Sequence, residues 1–186
     1  NGFGRTEGRP IGALYSIPFA GLTEEGLPTF FIDAEHTQVV GPSNYDAIYF
    51  QEYENVDYLK YEGSIDPTIT GSFGNTLSWK GLKLNVFFTY SFGNVLRLDD
   101  LCPVYSSDYS DLTASMKEMK NRWMVPGDEQ LTTIPAIPTV RQMREINALN
   151  NAYSAYNYST ERVAKGDFIR LKELSLAYDL PKKYFE

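Results

Sequence analysis

Residues 82–93 read LKLNVFFTYSFG, and their polarity alternates. Leu82, Leu84, Val86, Phe88, Tyr90 and Phe92 fall on one face of an extended strand. Lys83, Asn85, Phe87, Thr89 and Ser91 fall on the other. A period of two over this length predicts a β-strand with one apolar and one mostly polar side. Three further stretches carry strand signals. In residues 11–20, Ala13, Tyr15, Ile17 and Phe19 share a face, and Pro18 predicts an irregularity because it cannot donate to a ladder. In residues 70–79, Phe73, Leu77 and Trp79 oppose Ser72, Gly74, Thr76 and Ser78. In residues 168–180 the second half alternates, with Leu174, Leu176, Tyr178 and Leu180 against Glu173, Ser175, Ala177 and Asp179.

Only Lys80-Gly81 separates the strand ending at Trp79 from the one starting at Leu82, which predicts a tight antiparallel hairpin. The other connections, about 21–67 and 94–167, read as loops too long for an ordinary sandwich. Leu112, Met116, Met119 and Trp123 recur at helical spacing, and VRQMREINALNNA predicts a second short helix before the polar–aromatic run NNAYSAYNYS. That run fits packing in a loop as well as stacking on a sugar.

Strands of ten residues or more exceed the usual five or six and match a tilted membrane-crossing β-strand. Trp79 at one end of the hairpin, and Tyr90 and Phe92 at the other, fit two interfacial girdles. A soluble antiparallel sheet also alternates, so the pattern alone leaves lipid and core both open.

Composition narrows the classes. The chain has 186 residues, 42% hydrophobic and 15% aromatic, with a net charge of −7. The acidic balance argues against nucleic acid as a partner, which needs clustered Lys and Arg. The single cysteine, Cys102, excludes an internal disulfide framework. No apolar run reaches the 18 residues of a membrane helix, which leaves a membrane barrel open. The start at Asn1 and the stop after YDLPKKYFE lead us to expect a piece of a longer protein.

Catalytic constellations are missing, and we expect no enzyme and no cofactor. The one histidine, His36, sits with Asp33 and Glu35 at a spacing that fits no structural zinc pattern. One loop histidine supports no Ser-His-Asp arrangement. Asp99-Asp100 and Asp128-Glu129 read as solvated loop acids, and adding Asp108 gives no calcium-loop spacing. GFGRTEG at the start lacks the strand and helix that flank a nucleotide loop. We expect no metal site.

The order GRPIGALYSIPFAGL, EGLPTF, GSIDPTITGSFGNTLSWKGLKLNVFFTYSFGN, NRWMVPGD and GDFIRLKELSLAYDLPKK resembles the C-terminal part of SusC/RagA-type TonB-dependent outer-membrane transporters. The resemblance covers most of the chain and is weaker over 33–62 and 94–120. It implies an all-β fold, an antiparallel transmembrane β-barrel sector with long extracellular loops containing short helices. Residues 1–186 then belong to the C-terminal region of the barrel, without the plug domain and without the last strands. It implies TonB-dependent uptake of glycans or peptides across the bacterial outer membrane. The implied partners are a SusD-like surface lipoprotein acting as a lid, TonB through the missing N-terminal region, and outer-membrane lipid.

With Lys80-Gly81 on the periplasmic side, both long connections are extracellular. The expected lipid-facing residues are Phe73, Leu77, Leu82, Leu84, Val86, Phe88, Leu174, Leu176 and Tyr178, with Phe87 and Lys83 toward the lumen. Tyr105, Tyr109, Tyr153, Tyr156 and Tyr158 are the candidate substrate or lid contacts, and deleting about 105–115 is expected to weaken lid association. The alternative is a soluble β-rich carbohydrate-binding module whose tyrosine-rich loops stack on sugars.

Overall fold

Lys80 and Gly81 both adopt positive φ, 48° and 85°. Two such residues in succession make the turn whose twist matches that of antiparallel strands. The flanking strands pair without interruption from Ile69↔Phe92 to Trp79↔Leu82. The computed structural model describes residues 8, 10–48, 57–101 and 117–180.

In chain order the strands are β1 (Ala13–Ser16), β2 (Phe19–Leu22), β3 (Pro28–Phe31), β4 (Val39–Val40), β5 (Lys60–Ser64), β6 (Ile69–Trp79), β7 (Leu82–Phe92) and β8 (Val95–Arg97). Then follow helices α1 (Val140–Glu145) and α2 (Leu149–Asn157), and strands β9 (Val163–Lys165) and β10 (Phe168–Tyr178). Strands dominate, helices are few, and no helix among the described residues is long and apolar enough to cross a membrane. The sheets are β10-β7-β6, β2-β3-β4, β1-β5 and β8-β9. The chain divides into two units, Asn1–Gly63 with Arg97–Ala164, and Ser64–Leu96 with Lys165–Glu186.

The first unit corrects the expectation of two long loops. Every buried hydrophobic residue among those described belongs to it, including Ile17, Leu27, Phe30, Val40, Tyr45, Leu101, Leu149, Tyr153 and Tyr156. The segments around 21–63 and 97–164 therefore bury a shared apolar core, which is what makes connections of that length stable. Their strands β3, β4 and β5 are too short for a period of two to stand out in the sequence.

Pro18 breaks the first expected strand in two, and the break has a use. β1 pairs with β5, the Ile17 N–H donates to the Tyr158 carbonyl (3.0 Å), and the Pro18 carbonyl accepts from the Phe31 N–H (2.9 Å). A residue without an N–H sits where the chain changes partner, so no ladder bond is lost. Tyr45 is fully buried and donates its hydroxyl to the Pro28 carbonyl (2.7 Å), and burial pushes that hydroxyl's pKa upward.

Gly26 has φ 75°, and a Cβ there would run into the Trp123 ring. Its carbonyl also accepts from the Ala136 N–H (2.8 Å). Gly26→Ala adds a left-handed alanine and displaces an indole. It is expected to destabilise the first unit by about 1–3 kcal/mol, read as a drop in its thermal midpoint with a change in Trp123 fluorescence.

VRQMREINALNNA forms two helices, since α1 ends at Glu145 and α2 begins at Leu149 after Ala148 in a left-handed conformation. Thr139 caps α1 in a reciprocal box with Gln142. Of the expected earlier helix, Lys117–Asn121 is a short 3-10 turn with Met119 buried, while Leu112 and Met116 lie outside the described residues.

Candidate functional site

The second unit is a three-stranded antiparallel sheet in which all three strands have eleven residues. Directly opposed residues in such a sheet share a face, so the registers give rows across it. The rows on one side are Trp79–Leu82–Tyr178, Leu77–Leu84–Leu176, Asn75–Val86–Leu174, Phe73–Phe88–Leu171 and Gly71–Tyr90–Ile169. All nine residues expected to face lipid, namely Phe73, Leu77, Leu82, Leu84, Val86, Phe88, Leu174, Leu176 and Tyr178, share this face. Leu77, Leu174 and Leu176 are 61%, 64% and 68% exposed, and none of the nine is buried.

Sequence reasoning missed two members of this face. Ile169 and Leu171 have the opposite parity to Leu174, Leu176 and Tyr178. A register shift between Leu171 and Glu173 absorbs one residue and returns both to the apolar side. A β-bulge does this by leaving one residue unpaired. The signal was present as a change of alternation phase at Lys172-Glu173, in the half of the segment without a clean pattern.

Two glycines in β6 face aromatic rings. Tyr90 lies over Gly71 on the apolar face, and Phe87 packs against Gly74 on the polar face, where an added Cβ would lie 2.8 Å from its ring. Phe87 therefore covers bare backbone from the neighbouring strand. Otherwise the polar face is joined across its strands. Thr76 Oγ1 donates to Asn85 Oδ1 (3.1 Å), Asn85 Nδ2 donates to Glu173 Oε1 (2.6 Å), and Lys83 Nζ meets Asp179 Oδ2 at 3.0 Å.

The apolar rows run from Leu82 to Tyr90 in β7, eight steps of about 3.4 Å, or roughly 27 Å along the strand. A tilt of about 40° gives ~21 Å of height, close to the apolar band of about 25 Å in membrane barrels. Trp79 and Tyr178 stand at the turn end, with Lys80 Nζ 4.9 Å from the Trp79 ring centre. Tyr90 and Phe92 stack at the other end, 5.6 Å apart. Aromatics at both edges of an apolar band are the arrangement that fits two interfaces.

The candidate tyrosines separate by environment. Tyr105 and Tyr109 lie outside the described residues, as does the 105–115 segment with Asp108, and so does Cys102. Tyr153 and Tyr156 are buried in the first unit's core. Tyr153 donates to the Ala136 carbonyl (2.6 Å), and the Tyr156 ring meets Phe19 edge-on at 5.7 Å. Tyr158 is 42% exposed, and the Arg97 guanidinium lies over its ring at 5.0 Å. Arg97 in turn donates to the carbonyls of Tyr15 (2.6 Å) and Asn157 (3.4 Å). Burial lowers the Arg97 pKa against the raising fields of Tyr158, Asp100 and Glu62.

Asp33, which the sequence placed beside His36 and Glu35 without a zinc spacing, has structural partners. Asp33 accepts from the Thr37 hydroxyl (2.6 Å) and from the N–H groups of Thr37 and Gln38. Those bonds, led by the Thr37 hydroxyl, hold its carboxyl below the ordinary aspartate range. A depressed folded pKa contributes stability that is complete above about pH 5 and is lost as pH falls through the folded value, below about 4. Amide exchange at Thr37 and Gln38, corrected for intrinsic rates, is expected to accelerate only in that acid window. Acceleration between about pH 5 and 8 would contradict the assignment. His36, beside it, stacks on Phe31 at 4.8 Å. No cluster of three metal-ligating side chains occurs among the described residues.

An open three-stranded sheet with one bare apolar face, next in sequence to a core-bearing unit of short strands and helices, defines a mostly β architecture. Two solved structures share this fold. One is a chain of the RagAB peptide importer in its closed-closed state, with a TM-score of 0.54 and 22% identity over 92% of this chain. The other is a chain of the same importer in its open-open state, with a TM-score of 0.53 and 22% identity over 92%. This chain spans only 17% and 16% of the lengths of those chains. No family model matches the sequence, and no curated protein matches it.

Proposed function

We propose that this chain is a wall sector, with attached extracellular structure, of a SusC/RagA-type TonB-dependent importer of glycans or peptides in the bacterial outer membrane. The observation that carries this is the apolar face of β6, β7 and β10. It is eleven residues long, bounded by aromatics, and its unit contains no buried hydrophobic residue among those described. A three-stranded sheet needs a covered face for stability, and lipid supplies that cover without a protein core. The likeness in fold to RagAB chains supports the same role.

On this reading the outer edges of β6 and β10 pair with further strands of a barrel, which removes exposed edges. The hydrogen-bonded polar face lines the lumen. The role is transport rather than catalysis, powered through TonB and completed by a SusD-like lipoprotein lid. Tyr158 is the one exposed residue among the described candidate tyrosines, with Arg97 over its ring, and so the one able to reach lid or substrate. The burial of Tyr153 and Tyr156 weakens the alternative of a soluble sugar-stacking module.

The test is the intact mass of the native polypeptide extracted from outer membrane in detergent. A mass several times 21.1 kDa, in the membrane fraction, is the expected result. A species of 21.1 kDa recovered from the soluble fraction without detergent overturns the proposal.

A further inference from the structure

The turn end of the second unit carries two lysines, and the sheet sends them to opposite faces. Lys83 lies on the polar face, where its Nζ meets Asp179 Oδ2 at 3.0 Å. Lys80 turns to the apolar face, where its Nζ lies 4.9 Å from the centre of the Trp79 ring. Among the described residues no carboxylate pairs with Lys80. Trp79 and Tyr178, 69% and 55% exposed, belong to the row Trp79–Leu82–Tyr178 at this same edge. The Asp179 N–H donates to the Gly81 carbonyl (2.8 Å), and a Cβ on Gly81 would lie 3.5 Å from the Tyr178 ring, so the end of β10 is held beside the turn. The Trp79 indole N–H and the Tyr178 hydroxyl have no protein acceptor among the described residues.

The backbone is strained to place this cation. Lys80 has φ 48°, a conformation that Asn, Asp or Gly adopts more easily at the first central position of such a turn. Closing the hairpin requires no ammonium there. At the rim of a lipid-facing band, however, a lysine runs its apolar stem along the band and brings its charge to the phosphate layer. Trp and Tyr rings seat at the same depth.

We infer that Trp79, Lys80 and Tyr178 form a binding site for the headgroup of an anionic phospholipid, an inference that rests on the membrane reading above. Lys80 Nζ donates to a phosphate oxygen, and the Trp79 N–H and Tyr178 hydroxyl offer further donors along the same edge. The acyl chains lie over the rows Leu77–Leu84–Leu176 and Phe73–Phe88–Leu171. Asp179 is paired with Lys83 on the opposite face, which leaves Lys80 to set the sign of the charge that this edge attracts.

The test uses the complete native transporter in detergent, titrated with phosphatidylglycerol and separately with phosphatidylcholine, with bound lipid counted by native mass spectrometry. Wild type is expected to hold phosphatidylglycerol the more tightly. Lys80→Asn is expected to weaken one phosphatidylglycerol site about fivefold, the share of one basic residue at an anionic surface. The thermal midpoint of the lipid-free transporter should hold or rise, because asparagine fits the turn. Trp79→Leu, which keeps an apolar side chain in the row, should weaken the same site. Lys83→Asn makes the same change of charge on the opposite face and should bind as wild type. Equal phosphatidylglycerol binding by wild type and Lys80→Asn overturns the inference. An equal loss in Lys80→Asn and Lys83→Asn assigns the effect to net charge and overturns it too. So does a lowered midpoint of lipid-free Lys80→Asn, which makes the lysine a structural part of the turn. Displacement of the lipid by millimolar inorganic phosphate gives the site to a free anion and overturns the lipid as its occupant. A native protein recovered soluble without detergent defeats the membrane reading itself, and is recognised in the intact-mass test before any lipid is titrated.

Discussion

Val86→Arg is expected to reduce folding stability in the membrane by about 2–4 kcal/mol, the cost of a guanidinium near the middle of the lipid face of a barrel. Val86 lies in the third of five apolar rows, between Asn75 and Leu174, with two rows toward the turn and two toward the opposite end. Placement in the central row makes it the position farthest from either aromatic edge, where an arginine has the longest reach to water. Ser175→Arg is the matched control. Ser175 is one step along β10 from Leu174, on the polar face beside Glu173, where a cation finds a carboxylate. The comparison reads the fraction of heat-modifiable, protease-resistant transporter recovered in detergent, with a urea titration of each. Val86→Arg should lose most of that fraction and Ser175→Arg should keep it. Equal behaviour of the two variants refutes a lipid assignment for this face. A soluble sheet whose two faces both meet water gives that equality.

Tyr156→Ala is expected to lower the stability of the first unit by about 3–5 kcal/mol, the range for truncating a large aromatic in a core. The side chain is 1% exposed and packs edge-on against Phe19, which in turn meets Phe30 at 6.1 Å. Its removal opens a cavity where β2, β3 and α2 meet. Tyr158→Ala, two residues on, loses the Arg97 stack at a half-open site and should cost less than about 1 kcal/mol. Chemical denaturation followed by near-ultraviolet dichroism separates the two. If Tyr156→Ala leaves the midpoint unchanged but abolishes binding of cargo or lid, then Tyr156 is a contact and not a core residue, and the inward packing of α2 is wrong.

These two tyrosines mark the limit of composition as a guide. A tyrosine suits a core, an interface or a sugar platform, because its ring is apolar and its hydroxyl needs only one partner. NNAYSAYNYS carries no period that assigns each ring to a side. The α2 helix turns Tyr153 and Tyr156 inward, where the Ala136 carbonyl and the Phe19 ring wait, and ends before Tyr158. The loop acids behave alike. Asp128 and Glu129 look like solvated charges in sequence, yet each accepts two N–H groups from donors no more than six residues away.

What could be determined from the sequence by itself was whatever depends on neighbours along the chain. The alternation over 82–92, the Lys80-Gly81 turn and the hairpin it closes follow from a side-chain period of two and from local backbone sterics. Pro18 marked the break in the first strand for the same reason. Tertiary structure alone decided what depends on distant partners. Asn85 meets Glu173 across 88 residues of chain, and the pairing of β10 with β7 carries the register shift that brings Ile169 and Leu171 to the apolar face, of which the sequence shows only a change of phase. Only the packing of 21–63 with 97–164 turned two expected loops into a core-bearing unit. The short strands β1 to β5 and the helices α1 and α2 are too brief to carry a pattern, and gain their stability from contacts that no local window of sequence contains.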